Sequence, residues 1–310
     1  MGWIVHRCLT EASFLVEIPR GKLDEVVKML KGIIPRATVA RREIRSLAGK
    51  LSYFAGLAPR LRAFVAPLWA VAAGDTTEAR LPKALAHVRR IAPALRWLLA
   101  FLTGLQGPLR RLFALGHREV GRVLDVVTDA CPWGMGAVLY EGSVPVAYWA
   151  DALRPEDALA FDARLGDPAF NTLWEGLAVL VSLRLWAPSF GPYAKVTVRS
   201  DNLGFLQALA ARRAGDSGLN RILQEVSLDE CIHDYPLSAL VHIPGIANAV
   251  ADGLSRMWAP EPKALPLALA SCPRSVVTVR SREFYRTLPC SAARVLALVD
   301  SHGRMAPACL

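Results

Sequence analysis

Apolar residues recur at helical spacing through the first third of the chain. In Lys22–Ile33 they fall at 23, 26, 27, 30 and 33, and Pro35 ends the run. A second helical pattern begins at Thr38, with Ile44, Leu47, Ala48, Leu51 and Phe54 on one face. A third apolar helix follows Pro59 and runs to about Ala72, Gly74–Pro82 reads as a linker, and Leu85–Leu102 reads as a further helix. Ahead of these, Trp3–Ile18 alternates weakly, as one or two short strands would. The pattern changes near Gly121. Arg122–Thr128 is a Val- and Leu-rich run, Gly134 and Gly136 flank a turn, and Ala137–Tyr140 and Val144–Trp149 follow on either side of the hairpin-sized gap 141–143, so three consecutive antiparallel strands are predicted. An Asp- and Pro-rich loop, Asp151–Pro168, leads to a strongly apolar helix, Thr172–Ala187. Lys195–Ser200 is a fourth strand, Asn202–Arg212 and Leu219–Cys231 are helices, Ser238–Ile243 is a fifth strand, and Ala247–Met257 closes the series. The order βββαβααβα mixes hairpins with crossovers, which implies an α/β fold on a five-stranded mixed sheet, preceded by a mainly helical region.

Composition narrows the function classes. At 310 residues and 53% hydrophobic, the chain has mass for about two domains and is not a disordered polymer. No charge-free run reaches the roughly 18 residues of a membrane span, so no membrane association is expected. The start lacks a signal peptide's apolar core and no targeting signal is evident, so the cytoplasm or nucleus is the expected compartment. The six cysteines form no CxxC pair, which argues against a zinc ribbon or a disulfide framework. The net charge of +10 is unevenly spread, being +12 over 1–120, −6 over 121–258 and +4 over 259–310. A basic arm suits a polyanion, whereas an acidic unit acting on the same polyanion needs cations on its carboxylates.

Four carboxylates fall at telling places. Asp129 ends the first strand, Glu175 lies in the first turn of the apolar helix, Asp201 ends the fourth strand, and Asp252 lies in the last helix. Taken singly, Asp201 would serve as a helix cap, Glu175 as a first-turn acid and Asp252 as a surface acid. Taken together on converging elements they repel one another, and divalent cations relieve that repulsion.

The stretch 122–257 resembles the ribonuclease H domain of retroelement reverse transcriptases. The carriers are TDACPWGMGAVL, WEGLAVLVSLRLW, VRSDNLGFLQAL and HIPGIANAVADGLSR, the last being the most specific. The resemblance implies a ribonuclease H-like five-stranded mixed sheet. It places Asp129, Glu175, Asp201 and Asp252 on the family's metal-binding carboxylates, with two Mg²⁺ ions as cofactors and Mn²⁺ as a substitute. It sets His242 where a related histidine helps proton transfer or product release, and a structural role stays open for it. Asn202 and Asn248 are candidates for nucleic-acid contact; Asn202, with Ser200, also shapes the backbone beside Asp201, and Asn248 either hydrogen-bonds within the site or, the favoured reading, positions the loop before the last helix. Cys131 stands where serine is frequent.

Residues 3–72 resemble the end of a reverse transcriptase palm and its thumb, carried by GWIVHR, IPRGKLDEVVKML and REIRSLAGKLSYFAGLAPRLRAFVAPLW, and most like those of tyrosine-recombinase-type or related eukaryotic retroelements. The expected domains are 1–75 as palm end and thumb, 76–120 as connection, 121–258 as the ribonuclease H-like domain, and 259–310 as a poorly ordered Pro- and Ala-rich tail. Arg41, Arg42, Arg45 and Lys50 on one helix face are candidates to follow a phosphate backbone. The expected partners are an RNA/DNA hybrid or other nucleic acid and the remainder of a reverse transcriptase polyprotein. The chain contains no Asp-Asp pair, and fingers and most of a palm would precede Met1, so no polymerase activity is expected. The implied function is metal-dependent cleavage of the RNA strand of a hybrid. The alternatives are an inactive nucleic-acid-binding remnant and a transposase or integrase, against which Asp252 in place of a glutamate argues.

Overall fold

A computed structural model describes residues 3–8, 13–74, 82–105, 109–114, 121–191, 194–233 and 237–287. The chain divides into two compact units, one of Met1–Gly116 with Tyr285–Leu310, the other of His117–Phe284. No described helix is long and apolar enough to cross a membrane.

The first unit runs β1 (Ile4–Cys8), β2 (Ser13–Glu17), α1 (Arg20–Ile33), β3 (Thr38–Ala40), α2 (Arg41–Leu57), α3 (Arg62–Ala73), β4 (Leu85–His87), α4 (Ala92–Leu102) and β5 (Arg110–Ala114). The apolar stripe of α2 is buried as its spacing requires, with Ile44, Leu47, Ala48, Leu51 and Phe54 inaccessible to solvent. It packs on α3, whose Phe64 meets Phe101 of α4 at 5.2 Å between ring centroids. Gly74 ends α3 at φ +89°, a left-handed C-cap that glycine takes without strain. The helices expected from Thr38 and from Leu85 both start later. Thr38–Ala40 and Leu85–His87 pair as a small antiparallel ladder, so long-range hydrogen bonding overrides the helical reading of those ends. A third strand, β5, joins β1 and β2, which the sequence pattern did not predict.

The second unit runs β6 (Val123–Ala130), β7 (Gly134–Glu141), β8 (Val144–Ala152), α5 (Pro155–Phe161), α6 (Asn171–Trp186), β9 (Lys195–Ser200), α7 (Leu203–Ala211), α8 (Ser217–His233), β10 (Leu237–His242) and α9 (Ala249–Ser255). Its five-stranded mixed sheet has the order β10-β9-β6-β7-β8. The ladders β6–β7 and β7–β8 are antiparallel, and β6–β9 and β9–β10 are parallel. The sheet is the one the pattern predicts, with α5 added inside the expected Asp151–Pro168 loop. That helix is too short to show a period, and it is fixed by Pro155 at its first turn and by the Arg154 N–H donating to Asp157 Oδ2 at 3.0 Å. Helix α6 is apolar all round because it is buried all round, against β6 and β7 on one side and α8 on the other.

Residues 259–284 correct the expectation of a poorly ordered tail. Leu269 is buried beside Val138, Tyr148, Ala150 and Leu254. Tyr148 N–H donates to Pro273 O at 3.0 Å, and Ser275 N–H donates to Tyr148 O at 2.7 Å. Arg280 is 1% exposed and pairs with Asp157 and Asp151. Pro- and Ala-rich composition suggested disorder, but one arginine with a buried and a half-buried acid and one leucine fix the segment along the β8 edge. The remainder of the expected tail, 288–310, lies outside the described residues.

Candidate active site

Asp129 follows the hydrophobic run of β6, the central strand, and lies opposite Gly136 in the β6–β7 ladder. Both glycines of the β7 start have a packing reason. A Cβ on Gly136 would collide with Leu254, and one on Gly134 would lie 2.6 Å from Ser255 O. Their bareness lets the end of α9 settle on the hairpin, and this brings Ser255 Oγ to donate a hydrogen bond to Asp129 Oδ2. Asn248 Nδ2 donates to Asp129 Oδ1 at 3.2 Å and to Thr128 O at 3.0 Å. Glu175 lies just past the first turn of α6 and not within it as expected, since the helix already starts at Asn171, and it is held by the Ala130 N–H at 3.1 Å and by Ser200 Oγ at 3.3 Å. Asp201 follows β9, next to β6 in the sheet, and the loop at Gly245 passes close to its Oδ2.

One carboxylate oxygen each of Asp129, Glu175 and Asp201 falls within 4.8 Å of the others. Asp129 and Glu175 are 5% and 4% exposed, too little for water to screen them. Burial, and then the charges of Asp201 and Asp252, push the Asp129 carboxyl up to about 7 against the opposing hydrogen bond from Ser255. Burial, and then Asp129 and Asp201, push Glu175 well above its ordinary range, against the bonds from Ala130 and Ser200. Three hard oxygen donors that mutually oppose ionisation are the donor set of a divalent cation such as Mg²⁺ or Mn²⁺. The residues fit such an ion.

The other expected residues are placed differently. Asp252 is outside the triad. Its carboxylate accepts from Arg256 Nε at 2.5 Å and from Lys263 Nζ at 2.5 Å. Burial alone would raise its pKa, but these two bonds outweigh burial and hold it below the usual carboxylate value. His242 is exposed at the end of β10 with Nε2 3.1 Å from the Asp201 carbonyl oxygen, so it touches the backbone of a triad residue. Asn202, expected as a nucleic-acid contact, caps α7 by accepting from the Phe205 N–H at 2.9 Å and donates to Thr172 Oγ1 at 3.3 Å. Asn248 is 1% exposed and turned onto Asp129, because the short turn before α9 aims it inward, so of its expected roles the hydrogen bond within the site is the one seen, and its side chain is too buried for nucleic-acid contact. Cys131 is buried with its thiol on Ser255 O at 3.1 Å. In the first unit Arg41 Nη1 donates to Val71 O and Arg45 Nη2 to Ala72 O at 3.2 Å, at the last carbonyls of α3. Lys50 pairs with Glu25 at 2.9 Å, and Arg42 is exposed. Sequence reasoning missed Ser255. The only signal for it was its place three residues after Asp252 in ADGLSR, which sets both near the β6–β7 hairpin.

No protein-family model and no curated protein matches the chain. Among solved structures, the chain is similar to ribonuclease H1 from the halophilic archaeon Halobacterium salinarum, at 20% identity and TM-score 0.34, over 44% of this chain and 96% of that one. It is similar to a ribonuclease H1 isolated from compost by a metagenomic approach, at 17% identity and TM-score 0.34, over 43% of this chain and 91% of that one. A foamy viral protease-reverse transcriptase in complex with double-stranded DNA matches at 14% identity and TM-score 0.24, over 77% of this chain and 38% of that one. These likenesses are slight, and the strand order and the three acids carry the reading. The second unit has a ribonuclease H-like fold. Its acid triad is a set of oxygen donors that could hold a divalent ion.

Proposed function

We propose that this chain is a metal-dependent endonuclease that cleaves the RNA strand of RNA/DNA hybrids. The observation that carries the reading is the convergence of Asp129, Glu175 and Asp201 from a central strand, a buried helix and the neighbouring strand. The triad would hold Mg²⁺, with Mn²⁺ as a substitute and Asp252 nearby as a fourth ligand for a second ion. Bound divalent ions would supply a polarised attacking water and charge stabilisation at the leaving 3′ oxygen. Ser255 and Asn248 orient the Asp129 carboxylate, while the Ala130 N–H and Ser200 orient Glu175, so the ligand atoms are fixed before any ion arrives. His242, exposed and resting on the Asp201 backbone, would move a proton to or from the departing product. The motifs of 122–257 and the thumb-like motifs of 3–72 support a retroelement reverse transcriptase context. In it 1–75 is palm end and thumb, 76–120 connection and 121–258 the nuclease. The absence of an Asp-Asp pair supports a chain that cuts and does not polymerise.

The test is incubation of the full chain with an end-labelled RNA/DNA hybrid, with and without Mg²⁺. Cleavage of the RNA strand that needs Mg²⁺ and is lost in Asp129→Asn is the expected result. An Asp129→Asn protein that cleaves at the parent rate shows that the site is elsewhere. No cleavage by the parent, with binding retained, favours the inactive remnant.

A further inference from the structure

Asp252 is the acid that a side-chain cation reaches from beyond the sheet and its helices. Arg256 is four residues on in sequence and forms an ordinary helix-face pair with it. Lys263 arrives separately, on the extension after α9, and its placement is built. The Lys263 N–H donates to Arg256 O at 3.3 Å. Pro266 lies so close to α9 that a Cβ on Gly253 would come 2.9 Å from its Cγ. Leu269 then anchors the strap in the core. Asp252 remains near enough to Asp129 for its charge to act there. The four acids thus divide into three that face one another and one that already holds an ammonium.

We propose that Lys263 is a built-in counter-cation that sets the metal stoichiometry. The full chain takes one divalent ion readily at Asp129, Glu175 and Asp201, and a second ion, which needs Asp252, must displace the Lys263 ammonium. This rests on the nuclease reading above for the identity of the site. Both Lys263 and Arg256 are half-exposed, and pairs of that kind contribute little. The effect on the second ion is therefore severalfold rather than orders of magnitude.

The experiment is a Mn²⁺ titration of the full chain, in which the electron paramagnetic resonance signal of free aqueous Mn²⁺ reports the ion left unbound. The parent should bind one ion tightly and a second weakly. Lys263→Met should tighten the second step about 2- to 5-fold and leave the first in place. Lys263→Arg, which keeps the cation, should follow the parent. A Lys263→Met isotherm that superimposes on the parent's, or a single step in both, overturns the inference. If Lys263→Met does not melt cooperatively, Asp252→Asn decides. It should abolish the second step and keep the first, and persistence of both steps overturns the inference. Asp129→Asn answers the separate question, since loss of the first step belongs to the site itself. Unchanged binding in that variant would sink the nuclease reading while leaving the Lys263 comparison to be read by itself.

Discussion

Asp129 and Glu175 are acids placed where a folded protein can keep them charged only with help. Their folded-state pKa values lie above those of an unfolded chain, Asp129 at about 7. Between about pH 4 and pH 7 the folded state therefore holds protons that the unfolded state has released. The stability this contributes is complete below that window and is lost as pH rises through it. Metal-free protein should melt higher at pH 5 than at pH 8, and Asp129→Asn should flatten the difference and raise the melting temperature at pH 8. Mg²⁺ should recover the parent's loss at pH 8 and do less for the variant. Thermal melts at the two pH values check this, and a variant that melts below the parent at pH 8 without metal would refute the repulsion argument. These two acids were legible in the sequence because a charge at the end of a Val-rich strand or inside an apolar helix is anomalous. Ser255 was not, and for Asn248 a bond within the site was only one of two readings, since serine and asparagine near a helix end are common for many reasons.

At the scale of elements, the site depends on how closely α9 approaches the β6–β7 hairpin. Gly136→Ala puts a methyl group into Leu254 and must push α9 away. A loss of about 1–3 kcal/mol is expected from such overpacking, read by denaturant unfolding, together with weaker Mn²⁺ binding as Ser255 leaves Asp129. Unchanged stability would mean that α9 shifts freely. Arg280→Leu tests the extension. It takes the countercharge from Asp157, which is wholly buried, and removing one partner of a buried ion pair costs about 3–5 kcal/mol. The strands of the mixed sheet could be read from sequence because each carries its own alternation or apolar run. Helix α5 could not, because seven residues are too few to show a period; the ladder of β3 with β4 and residues 259–284 could not, because distant partners decide them: His87 for Thr38, Asp157 for Arg280, Tyr148 for Ser275.

For the whole molecule the question is where a polyanion would be held, since residues 1–120 carry +12 and residues 121–258 carry −6. The four basic residues of α2 are the natural candidates from sequence, and four phosphate contacts would steepen the salt dependence of log affinity by about 3.6. The structure divides them. Arg41 and Arg45 already donate to the terminal carbonyls of α3, bonds that a phosphate would have to replace. Arg42 is exposed, and Lys50 is tied, among the described residues, by an exposed pair to Glu25, which costs little to break. Two contacts are then the most this face supplies. Replacing all four by Ala should flatten the slope of log affinity for a hybrid against log salt by about 1.8 or less. The pair Arg42→Ala, Lys50→Ala should account for that change by itself, whereas Arg41→Ala, Arg45→Ala should lower the melting temperature by uncapping α3 and leave the slope in place. Fluorescence-anisotropy titrations across a series of KCl concentrations measure the slopes. A flattening near 3.6 in the quadruple variant would show that both arginines leave their carbonyls for phosphates, and the division drawn here between capping and binding residues would fall.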